Sequence, residues 1–316
     1  MNNTMQIIPQ WTIDITQSRI DSTYMQMHPF KLGNYMGYFT STGSIAMLQP
    51  IEDRAAVSSD YWAVFQSDAE QTPFFTPDGL QSGILEKAGF PFFADDSIFL
   101  FYPGGNAFSA HEPDGSEKWF YEDYVPVTAF SVSRAGCIAG FADGKIISFD
   151  QNGKIIQKFY PGGSNYEIIF GVALSSGGKY SACVSGVDRQ RIVISSSENN
   201  TDKIIFHEYI QNPVFEQSLV QFSADERYVF VNVADALIII DLVKKSSFSV
   251  PLSGKVLTVT EGGNGDFYFV LSKNQKINTV SIFTDTMFLV GDFSFEADNV
   301  FLQSDNESIY IGTDSQ

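Results

Sequence analysis

The residues of this chain whose types could do chemistry are three histidines, two cysteines, a set of acidic pairs and an unusual number of tyrosines. His28, His111 and His207 are each more than 80 residues apart, and none sits in an H-E-x-x-H arrangement. A tetrahedral zinc site needs four ligands, which Cys137 and Cys183 without a nearby histidine do not supply. Both cysteines lie in small, apolar stretches, as buried free thiols do, and the histidines read as surface or turn residues. A serine nucleophile would call for G-x-S-x-G, and a nucleotide phosphate for G-x-x-x-x-G-K-[ST]. Ser185-Gly186 is the nearest fragment to the first, and the second does not occur. Asp150-Gln151-Asn152-Gly153 lacks the oxygen ligands and distal Glu of a calcium loop and reads as a turn. The acids Asp60, Asp95, Asp96, Asp225 and Glu226 are more suggestive, because two carboxylates about 5–10 Å apart can cleave a glycosidic bond.

Those acids fall at regular places. A short apolar strand leads into a turn of Ser, Asp, Gly or Asn, and a second apolar strand follows. The second strands open at Tyr61, Ile98, Ile138, Tyr180, Tyr228, Phe267 and Ile309, at spacings of 37 to 48 residues. Such turn residues accept positive φ or bond their own backbone, as a tight hairpin requires. Most hairpins are followed by two more strand-like runs, for example 145–149 and 154–159. Four strands in about 40 residues is the period of a β-propeller blade. One four-stranded sheet cannot cover both of its faces, so blades stack around an axis.

Seven hairpins predict an all-β, seven-bladed β-propeller. The last hairpin lies five residues from the C-terminus and has no outer strands of its own. The segments 35–40 and 44–48 have the spacing of an outer pair, so the last blade is expected from 299–316 plus 34–50, closing the ring with both ends of the chain. Residues 34–316 are then one propeller, with 1–33 an extension packed on it. A rival count makes 13–27 an eighth hairpin, opened by Tyr24. Innermost strands (127–132, 168–174 and 256–259) are expected to be apolar on both faces, and Trp11-Thr12-Ile13-Asp14-Ile15 alternates like an outer strand.

Two stretches carry a family resemblance. Ser109-Ala110-His111-Glu112-Pro113-Asp114-Gly115 runs into Ser116-Glu117-Lys118-Trp119, and Ser148-Phe149-Asp150-Gln151-Asn152-Gly153 runs on to Gln157 and Phe159. They resemble the A-x-D-x-x-T-G-x-x-x-W repeat of quinoprotein-like (PQQ-like) propellers. The WD-repeat family shares only the blade length, since no Trp-Asp or Gly-His dipeptide occurs. The resemblance implies that the turn glycine takes positive φ and that Trp119 packs between blades. The dehydrogenases of that family use a calcium-bound quinone and an adjacent cysteine pair. Cys137 and Cys183 are not adjacent, so neither cofactor nor activity carries over, and the non-catalytic scaffold members are the closer analogy.

The formal net charge is −18, from 19 Lys and Arg against 37 Asp and Glu. Nucleic acid and anionic membrane surfaces attract clustered cations, so neither is an expected partner. No apolar run reaches the roughly 18 residues of a spanning helix, and residues 1–5 carry no signal-peptide pattern. A complete chain would be cytoplasmic; one with a trimmed leader would be extracytoplasmic or membrane-tethered. The expected molecule is a monomeric, non-enzymatic scaffold for a protein partner, with no cofactor, no metal and no catalytic residue. The alternative is a propeller lyase or glycoside hydrolase with carboxylates in the central channel. Tyr102-Pro103-Gly104-Gly105 recurs as Tyr160-Pro161-Gly162-Gly163. Pro-Gly explains a turn but not the tyrosines. Tyr102, Tyr121, Tyr124 and Tyr160 are therefore the expected partner-binding residues, since aromatics are enriched at interface hot spots.

Overall fold

The computed structural model describes residues 7–16, 26–198, 201–234, 236–305, 307–314 and 316. The described residues form 29 strands and one short 3₁₀ turn, Gly263–Gly265. A three-stranded sheet comes first: β1 (Met27–Leu32), β2 (Tyr35–Thr40) and β3 (Ile45–Pro50). Six four-stranded antiparallel sheets follow in chain order. They are β4 (Arg54–Val57), β5 (Trp62–Phe65), β6 (Thr72–Phe75), β7 (Gln81–Leu85); β8 (Phe90–Ala94), β9 (Ser97–Phe101), β10 (Ala107–His111), β11 (Glu117–Glu122); and β12 (Val127–Ser133), β13 (Gly136–Phe141), β14 (Ile146–Asp150), β15 (Ile155–Phe159). The next three are β16 (Ile169–Leu174), β17 (Tyr180–Ser185), β18 (Arg191–Glu198), β19 (Thr201–Tyr209); β20 (Val220–Phe222), β21 (Tyr228–Val233), β22 (Ala236–Asp241), β23 (Ser246–Pro251); and β24 (Lys255–Gly262), β25 (Phe267–Asn274), β26 (Ile277–Thr284), β27 (Leu289–Glu296). The hairpin β28 (Val300–Ser304) and β29 (Ile309–Thr313) completes the set.

All seven expected hairpins are present, and their first strands neighbour one another around the axis, as β4 does β8, β12 does β16, β16 does β20 and β24 does β28. The chain is an all-β propeller in the seven-bladed arrangement of those hairpins, with β1–β3 as a further three-stranded sheet standing between β28–β29 and β4–β7. Burial follows position in the blade. The second and third strands are the driest: β13, β21 and β22 are buried at every residue. The first strands differ among themselves: β16 is buried at five of its six residues, as expected, whereas β12 has one buried residue in seven. A first strand turns one edge to the axial channel, so it is not sandwiched throughout as the middle strands are. Fourth strands such as β23 and β27 mix half-buried and exposed residues, as an outer rim should.

The repeat signals behave as their chemistry dictates. Gly115 and Gly153 have φ of +90° and +77°. Trp119 stacks on Phe149 of the next sheet at 5.5 Å and donates Nε1–H to the Gln151 carbonyl at 3.2 Å. A Cβ on Gly153 would meet the Trp119 ring at 2.6 Å, so the turn glycine and the tryptophan are one device. The tip acids are also engaged across blades. The Gly177 N–H donates to Glu226 (2.5 Å), the Ala224 N–H to Glu261 (2.6 Å), and Ser58 Oγ to the Asp95 carbonyl (2.9 Å).

Closure differs from expectation in three ways. Residues 27–32 form β1 and pair along their length with β2, so the propeller begins before residue 34. β29 pairs with β28 alone among the described strands, so 34–50 do not complete its sheet. Pairing β1 with β2 closes a two-residue loop, and β1 thereby takes the edge of β2 that β29 was expected to fill. Residues 11–14 are not a strand; Trp11 stacks on Tyr310 (5.9 Å) and meets Phe39 edge-on (6.1 Å) as a brace. Tyr24, the opener of the rival eighth hairpin, lies outside the described residues, and 13–16 carry no strand.

The ends instead meet face to face. His28 and Phe39 on the β1–β2 face pack on Tyr310 at 4.7 and 5.1 Å, and Phe30 and Phe39 both lie 6.0 Å from Phe301. β1 runs antiparallel to β28. His28 lies 3.8 Å from Asp305 beyond the end of β28, and Gly33 lies against Asn299 before its start. His28 is therefore buried, at 7% exposure, and not a surface residue. Phe39, 4% exposed, is the centre of this contact. Phe39→Ala should lower stability by about 3–5 kcal/mol, read as a lower urea midpoint. A shift below about 1 kcal/mol would show that the ring closes elsewhere.

Candidate partner-binding surface

Tyr102, Tyr124 and Tyr160 lie on loops that leave the second and fourth strands, on the face opposite the hairpin tips, whereas Tyr121 lies within strand β11. Tyr102 opens the β9–β10 loop, where Gly104 and Gly105 take φ of +101° and +73°. That loop is sewn to the one after β11. The Asp123 N–H donates to the Asn106 carbonyl (2.9 Å), Asn106 Nδ2 returns a bond to the Asp123 carbonyl (2.8 Å), and the Val127 N–H donates to Gly105 (2.8 Å). The Ala142 N–H then donates to the Pro126 carbonyl at 3.0 Å, tying in the next sheet. Tyr160 ends this series after β15. The Arg191 guanidinium donates to the carbonyls of Pro161 and Gly162, which fixes the second Pro-Gly-Gly turn.

A buried ion pair sits under these loops. Lys145 is 5% exposed. Its ammonium donates to Asp123 at 2.7 Å and Asp143 at 3.0 Å and lies 4.7 Å from the Phe141 ring centre. Tyr121 donates its hydroxyl to Asp123 at 2.7 Å. Burial pushes the Asp123 carboxyl up, but hydrogen bonds from Lys145, Tyr121 and the Tyr124 N–H outweigh it and leave the group below the ordinary aspartate range. Tyr121 is pushed up by burial and by the same carboxylate. Sequence reading passed over Lys145, because the Asp-Gly-Lys turn at 143–145 looks like any solvated hairpin. Only the neighbouring blade supplies Asp123.

The structure separates the four tyrosines by exposure. Tyr124 is fully exposed and Tyr160 is 53% exposed. Tyr102 and Tyr121 are half-buried. The Tyr102 hydroxyl shares a 2.9 Å hydrogen bond with Ser109, its ring meets Phe120 edge-on at 5.6 Å, and Lys87 lies over the ring at 5.5 Å. Tyr121 packs on Phe149 at 4.9 Å and Phe141 at 6.1 Å. Phe120 and Tyr166, which sequence reading left out of the patch, are 47% and 68% exposed. Phe120 was masked by its setting in an alternating strand, where half the aromatics must point outward.

Other reactive side chains are placed in structural roles. Ser109 Oγ shares a 2.7 Å hydrogen bond with His111 Nε2, whose Nδ1 bonds the Gly115 carbonyl at 2.9 Å. This serine–histidine contact escaped sequence reading, but Ser109 is 0% exposed, so no acyl group can reach it. Burial pushes the Cys137 thiol up and raises Cys183 to about 12, so both are unreactive where they lie. The first strands carry one carboxylate, Glu261, which burial raises and which accepts the Ala224 N–H. Among the described residues no group of three or more His, Cys, Asp or Glu could hold a metal ion, and no helix is long and apolar enough to cross a membrane.

The ion pair makes a test of the surface's rigidity. Asp123→Asn should lower stability at pH 7 by about 3 kcal/mol, because it leaves a buried ammonium short of a partner. Asp123 titrates below its unfolded value near 3.9. Its contribution is thus present above that pH and disappears as pH falls through the lower, folded value. The gap between wild type and variant, read by urea denaturation, should narrow between pH 5 and 2. A gap independent of pH would show that Asp123 does not carry the pair.

The comparisons agree on the architecture. A family model described as a β-propeller protein matches residues 1–316. An uncharacterized protein of Treponema pallidum (strain Nichols) is 35% identical over 292 residues, covering 92% of this chain and 78% of the relative. Among solved structures, BamB from Moraxella catarrhalis superposes with a TM-score of 0.61 at 13% identity, covering 94% of this chain and 93% of that one. Hydrazine synthase of Kuenenia stuttgartiensis superposes with a TM-score of 0.53 at 11% identity, over 72% of this chain and 75% of its own. At such identities the likeness is one of fold. Seven hairpins, the shared blade gradient and a matching family model over the whole length have one reading: the chain belongs to the β-propeller proteins.

Proposed function

We propose that this propeller is a non-enzymatic scaffold whose tyrosine-bearing face binds a protein. The observation that carries the reading is the mounting of Tyr124 and Tyr160, exposed aromatics on loops held by the Lys145 ion pair and the Arg191 clamp. Aromatic anchors fixed before binding lose little freedom on association, which is the condition for a hot spot. Phe120 and Tyr166 extend the same aromatic character. The enzyme alternative, a lyase or glycoside hydrolase, needs a second carboxylate near the axis, and the first strands offer Glu261 alone. The BamB and hydrazine synthase likenesses weigh on neither side, since a propeller hosts both scaffolds and catalysts.

The test is affinity capture from the native organism with the wild-type chain and with a Tyr124→Ala/Tyr160→Ala double variant. A specific protein should be retained by the first and lost by the second, with affinity falling at least about 30-fold, or 2 kcal/mol. Far-UV circular dichroism should be unchanged. Equal retention by both proteins would remove the tyrosine face from the interface.

A further inference from the structure

Among the described residues the hairpin β28–β29 has no third or fourth strand, although each of the six four-stranded sheets has both. Beside it lies a cleft of about 1000 Å³. One wall comes from β25 and β27 (Phe267, Phe269, Phe293), the other from β1–β3 (Phe30, Phe39, Ile45), and β29 forms the floor. The cleft therefore occupies the position where outer strands of that blade would stand. Residues 7–15 run along it without entering a described ladder.

The edge of β29 is armed for pairing. The Asp305 N–H donates to Ser308, and the Asp314 N–H to Asn299, so the hydrogen-bonded pairs of this hairpin are 299/314, 301/312, 303/310 and 305/308. Ile309 and Ile311 then direct their N–H and C=O groups away from β28. Among the described residues those groups have no partner, whereas Thr313 exchanges both of its own with Gln316. An edge of this kind, sunk between two apolar walls, pairs with an extended segment and takes alternate side chains into the walls. The charge of the cleft narrows the choice. Among the described residues its charged lining is Asp305 and Glu307, both acidic.

We propose that this cleft accepts an extended segment of a partner protein by strand addition to β29, the segment alternating apolar and polar residues and carrying a Lys or Arg that reaches Asp305 and Glu307. This surface is distinct from the tyrosine face, and either can stand if the other falls.

The probe is a fluorescein-labelled, acetylated peptide, Thr-Val-Lys-Val-Thr-Val-Thr, with a version bearing Glu for Lys, titrated against the full chain by anisotropy. The Lys peptide should bind saturably and the Glu peptide at least several-fold more weakly. Ile311→Pro removes one outward N–H without touching the β28 ladder, and should weaken binding about tenfold, the worth of one hydrogen bond. Glu307→Lys should invert the preference between the two peptides, which keeps the test valid if the proline variant fails to fold. Hydrogen exchange should show the Ile309 and Ile311 amides fast in the free protein and slow with peptide. Three results would overturn the proposal: no saturable binding; amides already slow in the free monomer, which would mean the chain covers its own edge; or a concentration-dependent dimer abolished by Ile311→Pro, which would make a second copy the occupant.

Discussion

Everything in this molecule rests on an aromatic contact between residues almost a whole chain apart. Phe301 and Tyr310 from the last hairpin lie on His28, Phe30 and Phe39 from the first sheet. A propeller blade buries its faces only against neighbours, so a ring that failed to meet itself would leave two apolar faces in water. Closure here is by stacked faces and not by a shared ladder. Gln303 Nε2 bonds the Pro29 carbonyl across the junction, and His28 approaches Asp305, but the bulk of the contact is ring on ring. Side-chain packing of this sort tolerates the antiparallel sense of β1 relative to β28, which a continued sheet in the usual order would not.

That choice of closure has a structural consequence. Because β2 pairs with β1 and β3, the last hairpin has no ladder partner on the flank of β29 among the described residues. In most proteins a free sheet edge invites aggregation and is blunted by charge or covered. Here it is recessed, with Asp305 and Glu307 at its mouth and Trp11 bracing the turn above. On the far side of the ring the problem is solved differently. Loops 102–106, 122–127 and 142–145 are tied by backbone hydrogen bonds and by one buried ammonium between two carboxylates. A buried ion pair adds little net stability over an apolar substitute, but it fixes geometry, and geometry is what exposed aromatics need to act together.

The repeat is legible in the order of residues alone. Turn glycines and acids every 37 to 48 residues fix where chains reverse, because few residues accept positive φ, and the apolar runs between them have nowhere dry to go except against the next copy. The family resemblance implied positive φ at the turn glycines and Trp119 packed between blades, and both are found, but that Gly153 is the glycine under the Trp119 ring is a matter of which blades meet. The turns are local facts, and local stereochemistry is written residue by residue.

Which distant groups meet is settled by the fold and not by local stereochemistry. Whether 27–32 joins the ring, whether β29 finds a ladder partner, and whether Lys145 is solvated or clamped depend on neighbours contributed by other blades. The same holds for exposure: Tyr121 and Tyr124 are three residues apart, yet one is packed on Phe149 and the other stands clear. An alternating strand presents either face equally well to a core, and the pattern alone does not say which blade, if any, waits on the other side.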